Sequence, residues 1–378
     1  MMTPEGGASG WQNPSKLKAM HQTTFAPARP TLCVVNFNGA SVLPATLSAA
    51  CALRDSFEAI LLIDNGSEDG SLELVARDFD AVRVLRLPDN RGAGAARNVG
   101  LAEAPTDQIL FIDNDVTLTA ACVERLLDAL SANPRAALAA ATIVYAHRRD
   151  TIQYDGAECH FLGLQKLLDE DLPVVAVAPV VRKVGSLSTC CFMVARSRLP
   201  AHERFDETFF YIFEDHDFGI RVRLLGAEIL SLSDAPCYHG KGTQGLSIRQ
   251  VGTYTTKRIY FSIRNRWLLL LKNFSLRTLL VLAPILVFYE CAQFLLVLKK
   301  GWLGEWWRAS SWILGHLPEI VRERRRIQRS RCLPDRELLV GGRTPFRAEL
   351  TSSRAEVAAR RALDAIVGSY WKVAAAFI

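Results

Sequence analysis

Between Thr31 and Asn133, short apolar runs alternate with helix-like segments, and polar residues lie at or just after the end of each run. The runs are TLCVVNF (31–37), AILLIDNGS (59–67), VRVLRL (82–87) and QILFIDND (108–115). They are nearly continuous in apolar residues and bounded by Pro, Gly, Asn or Asp, which predicts strands buried on both faces. Helical spacing over 41–54, 71–78, 92–104 and 122–133 supplies the connections. Strands and helices alternating at these lengths restrict the chain to an α/β fold with a mostly parallel, Rossmann-like sheet. Such sheets bind ligands at the carboxyl ends of their strands. Here Asn36, Asn38, Asp64, Asn65, Asp113, Asn114 and Asp115 all fall at those ends.

The rest of the 378 residues is less regular. Residues 1–29 are polar and aperiodic and read as a flexible tail. From about 140 to 245 the pattern weakens, with β-like runs at 173–182 and 190–195 and a helical second half to FDETFFYIFEDHDFGIRVRLLG (205–226). Residues 276–298 are strongly apolar, 301–317 are Trp-rich, and 322–331 hold six arginines in ten residues. Residues 354–376 predict one amphipathic helix. The expected division is a tail (1–29), a sheet domain (30–270), apolar and basic helices (271–331) and a helical C-terminal tail (332–378).

Composition removes several classes. Hydrophobic residues at 49% and charged residues at 22% exclude a disordered chain. A net charge of +6 is too small for this length to indicate nucleic acid. A mean hydropathy of +0.11 is too low for a polytopic membrane protein. Nine cysteines, irregularly spaced and without a C-x-x-C, argue against a disulfide framework or zinc knuckle and suggest a reducing compartment. The first residues contain no apolar run of the secretory kind.

The carboxylates allow sharper readings. In IDND, Asp113 and Asp115 flank Asn114 at a strand end and point the same way, so they can converge on one hard divalent cation. Alone, such a pair is better read as capping the helix that starts near 119. The apolar strand before it and the other polar strand ends favour the cation. FEDHD clusters Glu214, Asp215 and Asp217, where mutual repulsion and burial can raise a carboxyl into the range of a general base. A solvated helix N-terminus is an equal reading. His239, in YHGKGTQG, could complete a metal site, with Lys241 and backbone N–H groups meeting phosphate; on local grounds an ordinary loop histidine is favoured. NRGAGAARNVG (90–100) gives Gly92-x-Gly94 but carries Arg97 at the third fingerprint position and follows the third strand, which argues against a dinucleotide site. It still suits a phosphate.

Taken in order, VVNFNG (34–39), IDNGSEDGS (63–71), NRGAGAARNVG, IDND and the 205–226 segment resemble glycosyltransferase family 2, the GT-A fold sugar transferases, and look closest to its bacterial rhamnosyltransferase-like members. The resemblance spans about 30–270. It implies a nucleotide-sugar donor, inversion and a divalent metal, Mn2+ or Mg2+. Val35, Asn36 and Phe37 match the strand end that packs on the nucleoside, Asp64 the acid that contacts the base, and Asn90 to Arg97, with Gly92, the stretch flanking the nucleotide. Asp113 and Asp115 match the metal-binding pair, which also meets the donor, and His239 a histidine that helps hold the metal. Asp215 matches the general base, with Glu214 and Asp217 tuning or orienting it. Arg264-Asn265-Arg266-Trp267 resembles an arginine-bearing segment after the catalytic domain. Ser188-Thr189-Cys190-Cys191 departs from the usual Gly-rich acceptor lead-in, and Asn65 stands where a second Asp is common.

Residues 278–298 are long enough to span a bilayer, but Pro284, Glu290 and Gln293 interrupt them. One crossing would also put the arginines of 322–331 on the far side, against the positive-inside rule. A hairpin or interfacial helix fits better, with Trp302, Trp306, Trp307 and Trp312 at the headgroups and the arginines on anionic lipid. A buried helical hairpin is the alternative. The leading function is a transferase that adds a sugar to a glycan or lipid-linked acceptor at the cytoplasmic face of the plasma membrane. A catalytically inactive nucleotide-sugar-binding scaffold and a nucleotidyltransferase are the competing readings; the latter needs a Gly-rich basic loop that NFNGASVLP lacks. The oligomeric state stays open.

Overall fold

The computed structural model describes residues 29–240, 255–345 and 354–378. The expected tail (but for Arg29) and Lys241 lie outside them. Strands β1 (Thr31–Asn36), β2 (Ala59–Asp64), β3 (Val82–Arg86) and β4 (Gln108–Asp113) are joined by α1 (Leu43–Ala52), α2 (Ser71–Asp78) and α3 (Ala93–Glu103). All three contacts in the order β4-β1-β2-β3 are parallel. Alternate residues serve opposite faces. Leu32, Val34, Ile60, Leu62, Leu110 and Ile112 pack under α1, α2 and α4 (Ala120–Ala132). Cys33, Val35, Leu61, Ile63, Ile109 and Phe111 pack under α3 and α5 (Glu214–Leu224).

Beyond β4 the sheet is mixed. β11 (Cys191–Ala195) runs antiparallel between β4 and β6 (Ala136–Tyr145), and β12 (Glu228–His239) runs parallel to β6. β10 (Val181–Val184) closes that edge, β7 (Arg148–Tyr154) pairs with β6, and the two-residue β5 (Val116–Thr117) meets the end of β12. The mostly parallel expectation therefore describes the first half of the sheet. Of the β-like run 173–182, only its end enters β10, while Val174–Ala176 form a 3-10 turn. β8 (Ala157–His160), β9 (Leu164–Leu167) and β13 (Leu339–Val340) make a separate small sheet.

A helical layer follows: α6 (Thr256–Asn273), α7 (Leu276–Lys300), α8 (Leu303–Gly315), α9 (Leu317–Ser330) and α10 (Arg354–Ala374). Thr255 accepts from the Arg258 N–H and Ser275 from the Thr278 N–H, so a side-chain oxygen caps each of the first two helices. Leu268, Leu269, Leu270 and Phe274 join Leu282, Ile285, Ile313, Ile320 and Val367 in one core that also holds Phe209, Ile220 and Leu224 of the sheet domain. The expected boundary at 270 thus falls inside a helix whose end belongs to both parts.

α7 is long and apolar enough to cross a membrane, with 28% of its apolar window buried. Its interrupting polar residues face the protein: Glu290 pairs with Arg266, and Gln293 lines the cavity described below. Leu280, Val287 and Leu295 lie on the exposed face. Among the tryptophans, Trp307 is exposed, whereas Trp302 and Trp306 pack on a small core with Ile259 and Val297. Trp312 stacks on His316 at 4.0 Å and faces Arg264 at 4.5 Å. The arginine cluster is also partly internal, since Arg324 donates to the Leu271 and Phe274 carbonyls and Arg331 pairs with Asp335.

Candidate active site

A cavity of about 980 Å³ opens at the carboxyl ends of β1 and β4. Val35, Phe37, Asn65, Asn90, Gly92, Arg97, Asp113 and Asp115 line it. Below them lies a knot of amides and hydroxyls. Asn36 Nδ2 donates to Asp64 Oδ1 at 2.9 Å and to the Ser67 and Ser71 hydroxyls at 3.1 Å, and its Oδ1 accepts from Asn114 Nδ2 at 2.9 Å. Asp64 Oδ2 accepts from the Ser67 N–H at 3.0 Å. Asn36 and Asp64 are wholly buried. Two site expectations change accordingly: Asn36 and Asp64 brace the strand ends from behind, and Asn65 is the residue of that turn on the cavity wall.

Asn65 Nδ2 donates to Asn90 Oδ1 at 3.0 Å, and Asn90 Oδ1 accepts from the Gly92 N–H at 2.9 Å. Gly92 has φ +88°, and a Cβ there would lie 2.2 Å from the Phe210 carbonyl oxygen. Only glycine allows that approach.

Arg97, on α3, is 3% exposed at its side chain. It donates to Asp113 Oδ1 at 2.9 Å and to Glu214 Oε1 at 3.2 Å. Burial opposes its charge, but Asp113, Glu214 and Asp215 outweigh that and hold it on. Burial raises the Asp113 carboxyl, with Arg97 and His239 pulling the other way. Thr119 Oγ1, not Asp113 or Asp115, caps α4, accepting from the Cys122 N–H at 3.1 Å. The capping alternative for the acidic pair is thereby removed.

His239, at the end of β12, places Nε2 3.2 Å from Asp115 Oδ1 and Nδ1 2.8 Å from Gln153 Oε1. Burial disfavours its charged form, yet Cys190 and Asp115 outweigh burial and raise the ring to about 10. Ligand atoms of Asp113, Cys190 and His239 lie within 4.8 Å of one another. This oxygen, sulfur and nitrogen set fits a divalent cation, and Asp115 reaches it through His239. Cys190 and Gln153 were not foreseen, because they come from distant strands that share no local spacing with Asp113.

The second acidic cluster divides. Glu214 is buried and Asp215 half-buried on the cavity wall. Burial raises both carboxyls, repulsion from Asp215 adds to the rise at Glu214, and Arg97 opposes the rise at both. Asp217 is wholly buried on the far side of α5, accepting from Arg221 Nε at 2.7 Å and Asn273 Nδ2 at 2.8 Å, with Lys272 Nζ at 3.3 Å. Its expected role beside Asp215 is corrected to that of an anchor between α5 and α6. The reading of a solvated helix start also fails, since Glu214 and Asp217 are buried.

The loop entering α5 is unusual. Phe210, Ile212 and Phe213 all have positive φ, at 59°, 56° and 69°. Such backbone persists only where its surroundings over-determine it. Asn265 Nδ2 donates to the Phe209, Tyr211 and Ile212 carbonyls at 3.0, 2.9 and 2.8 Å, and Arg264 Nη2 to those of Thr208 and Phe209 at 2.6 and 3.0 Å. The Arg264-Asn265 segment noted in the sequence is thus the clamp behind Glu214 and Asp215.

Comparison with known proteins agrees with this architecture. Residues 31–185 match glycosyl transferase family 2. Over 204 residues the chain is 28% identical to N-acetylglucosaminyl-diphospho-decaprenol L-rhamnosyltransferase of Mycobacterium tuberculosis, covering 48% of this chain and 66% of that protein. Over 211 residues it is 30% identical to the pre-mycofactocin glycosyltransferase of the same organism, covering 55% and 42%. The crystal structure of GalNAc-T7 with UDP, GalNAc and Mn2+ superposes with a TM-score of 0.52 at 15% identity, covering 65% of this chain and 48% of that one. That likeness shows a shared fold. The chain spans less than two thirds of the length of each of these proteins.

Proposed function

We propose, for a chain that carries a glycosyl transferase family 2 domain on a GT-A fold, that it moves a sugar from a nucleotide-sugar donor to a hydroxyl of a glycan or lipid-linked acceptor, with inversion, in cell-surface polysaccharide synthesis. The observation that carries this reading is the Arg97 bridge: one buried guanidinium joins Asp113, on the cation side, to Glu214, beside Asp215, so both acidic groups face one cavity.

The residues divide the work. Val35, Phe37 and Asn65 offer a half-apolar wall for the nucleoside, and the Asn90–Gly92 turn leads into α3, where backbone N–H groups suit phosphate. Asp113 and His239, with Cys190 and Asp115 beside them, would hold Mn2+ or Mg2+. When bound there, the cation supplies neutralisation of the charge that develops on the leaving diphosphate. Asp215 takes the proton from the acceptor hydroxyl, and its raised pKa makes it a stronger base than a solvated carboxylate once ionised. Arg97 fixes Glu214 and Asp113 on either side, so little reorganisation accompanies the transfer.

The acceptor side supports a lipid-linked substrate. Tyr289, Gln293, Leu296 and Val297 of α7 form the far wall with Trp302, and Arg343 adds positive charge there, while Arg266 is paired with Glu290. One relative is named for a diphospho-decaprenol acceptor. The exposed apolar face of α7 suits an interfacial position at the inner face of the plasma membrane.

Titration calorimetry with UDP, dTDP and GDP, each with and without Mn2+ or Mg2+, tests the proposal on the detergent-solubilised chain. Cation-dependent binding of one nucleotide is expected, followed by turnover of its sugar derivative. Folded protein that binds none of the three would overturn it in favour of the scaffold reading.

A further inference from the structure

The cation site contains a sulfur. Cys190 is 4% exposed, and its carbonyl accepts from the Asp113 N–H at 3.1 Å, so sheet pairing locks the two residues together. His239 is carried in on β12, paired to Val116 of β5. Three strands therefore set the 4.8 Å limit on the separations among Asp113, Cys190 and His239. Two ligands about 2.0–2.3 Å from one ion are at most about 4.6 Å apart, so small side-chain rotations close the set.

The histidine is prepared for ligation. Gln153 Oε1 only accepts, so the 2.8 Å contact puts the proton on His239 Nδ1. Nε2 is then the ring atom turned toward Asp115, at 3.2 Å, and toward the cluster, where a cation would take the place of its proton. A carbonyl oxygen holding the remote ring N–H is the usual outer support of a metal-bound histidine.

We propose that Cys190 Sγ is a direct ligand of the cation held by Asp113 and His239, and that it makes the site select ions that accept sulfur, such as Zn2+ or Co2+, over Mg2+. Magnesium demands oxygen ligands in near-octahedral array, whereas thiolate and imidazole favour the later transition ions. This rests on the reading of the cavity as a divalent-cation site.

The test uses the full chain with its exposed thiols removed by Cys291→Ser and Cys332→Ser, titrated with Co2+. The expected spectrum has visible d–d bands together with a near-ultraviolet thiolate-to-Co2+ charge-transfer band. Cys190→Ser should abolish the charge-transfer band, keep the d–d bands and weaken Zn2+ binding by about tenfold or more, with Mg2+ binding unchanged. Visible bands without charge transfer in the parent would overturn the sulfur ligand and leave the cation site standing. A charge-transfer band that survives Cys190→Ser would also overturn it, assigning the sulfur to buried Cys122, Cys191 or Cys237. Folded parent protein with no Co2+ spectrum would overturn both readings. Should the variant misfold, X-ray absorption of the Zn2+-loaded parent decides, expecting a sulfur shell at about 2.3 Å; a shell of nitrogen and oxygen alone refutes the ligand.

Discussion

Arg97 and Glu214 meet at 3.2 Å inside the sheet domain, although 117 residues separate them. The same guanidinium holds Asp113, and it lowers the proton affinity of Asp113, Glu214 and Asp215 alike. Arg97→Gln should therefore raise all three carboxyl pKa values. A base that must be ionised then works only at higher pH, so the acid limb of kcat/KM should move upward by about 1–3 units. A pH–rate profile checks this, and an acid limb that stays in place sinks the bridge as an electrostatic device.

In the parent protein that acid limb should already lie above the ordinary carboxylate range of about 4, because burial raises Asp215 and Glu214. Activity should fall as pH falls through the raised values. Asp215→Asn should lower kcat by about 10²–10⁴-fold while leaving the nucleotide Kd in place. Single-turnover kinetics with calorimetry separates the two, and near-normal turnover removes Asp215 from the role.

Asp217→Asn should behave in the opposite way. It takes one of two countercharges from each of buried Arg221 and Lys272, which keep Glu203 and Asp206; breaking a buried pair outright costs about 3–5 kcal/mol, which is the upper bound here. The expected result is a large fall in the denaturation midpoint, with the kcat of the remaining folded protein close to that of the parent. A selective loss of kcat without loss of stability would restore Asp217 to the chemistry.

Asn265→Ala removes one amide group, with two N–H donors, that reaches the Phe209, Tyr211 and Ile212 carbonyls of a loop with positive φ at Phe210, Ile212 and Phe213; Phe209 keeps Arg264 as a donor. Each buried carbonyl left without a partner costs about 1–3 kcal/mol. Thermal unfolding should show the loss, and kcat should fall with it, because the loop sets the first turn of α5. Unchanged kcat alongside lowered stability would mean that the clamp serves folding alone.

Leu280, Val287 and Leu295 are 67%, 62% and 67% exposed on α7. Burying such side chains in lipid gains about 1.5–3 kcal/mol each. The triple change to Gln should shift the chain from vesicles to the supernatant in a flotation assay while preserving nucleotide binding. Unaltered partition would move the membrane contact elsewhere.

The parallel half of the fold is legible because β1–β4 are short apolar runs punctuated by turn residues, each interpretable from its own neighbours. β6 is hidden by AALAAATIVY, whose alanines favour a helix, and β12 by a register shift between Leu232 and Pro236 that breaks its alternation. α6 escapes periodicity because Arg264, Asn265 and Arg266 are buried on it. At the site, Asp113, Asp215 and His239 are readable as chemistry at strand and helix ends. Cys190 and Gln153 are not, since only the antiparallel insertion of β11 and the pairing of β7 with β6 bring them near. Asp64 and Asp217 carry the right functional group, but hydrogen bonds to Asn36, Ser67, Arg221 and Asn273 turn them inward.

The order of strands in the sheet also sets a timetable. Synthesis runs from the N-terminus, so β1–β4 leave the ribosome as a self-contained parallel unit that carries Asp113 alone. Cys190 arrives with β11, and His239 only when β12 has emerged and paired with β6. Local βαβ units can fold as they appear, whereas the long-range pairings must wait. A nascent or prematurely terminated chain thus acquires its parallel sheet before Asp113, Cys190 and His239 come together, and on the proposed reading it cannot engage cation and diphosphate until the last strand of the sheet is in place.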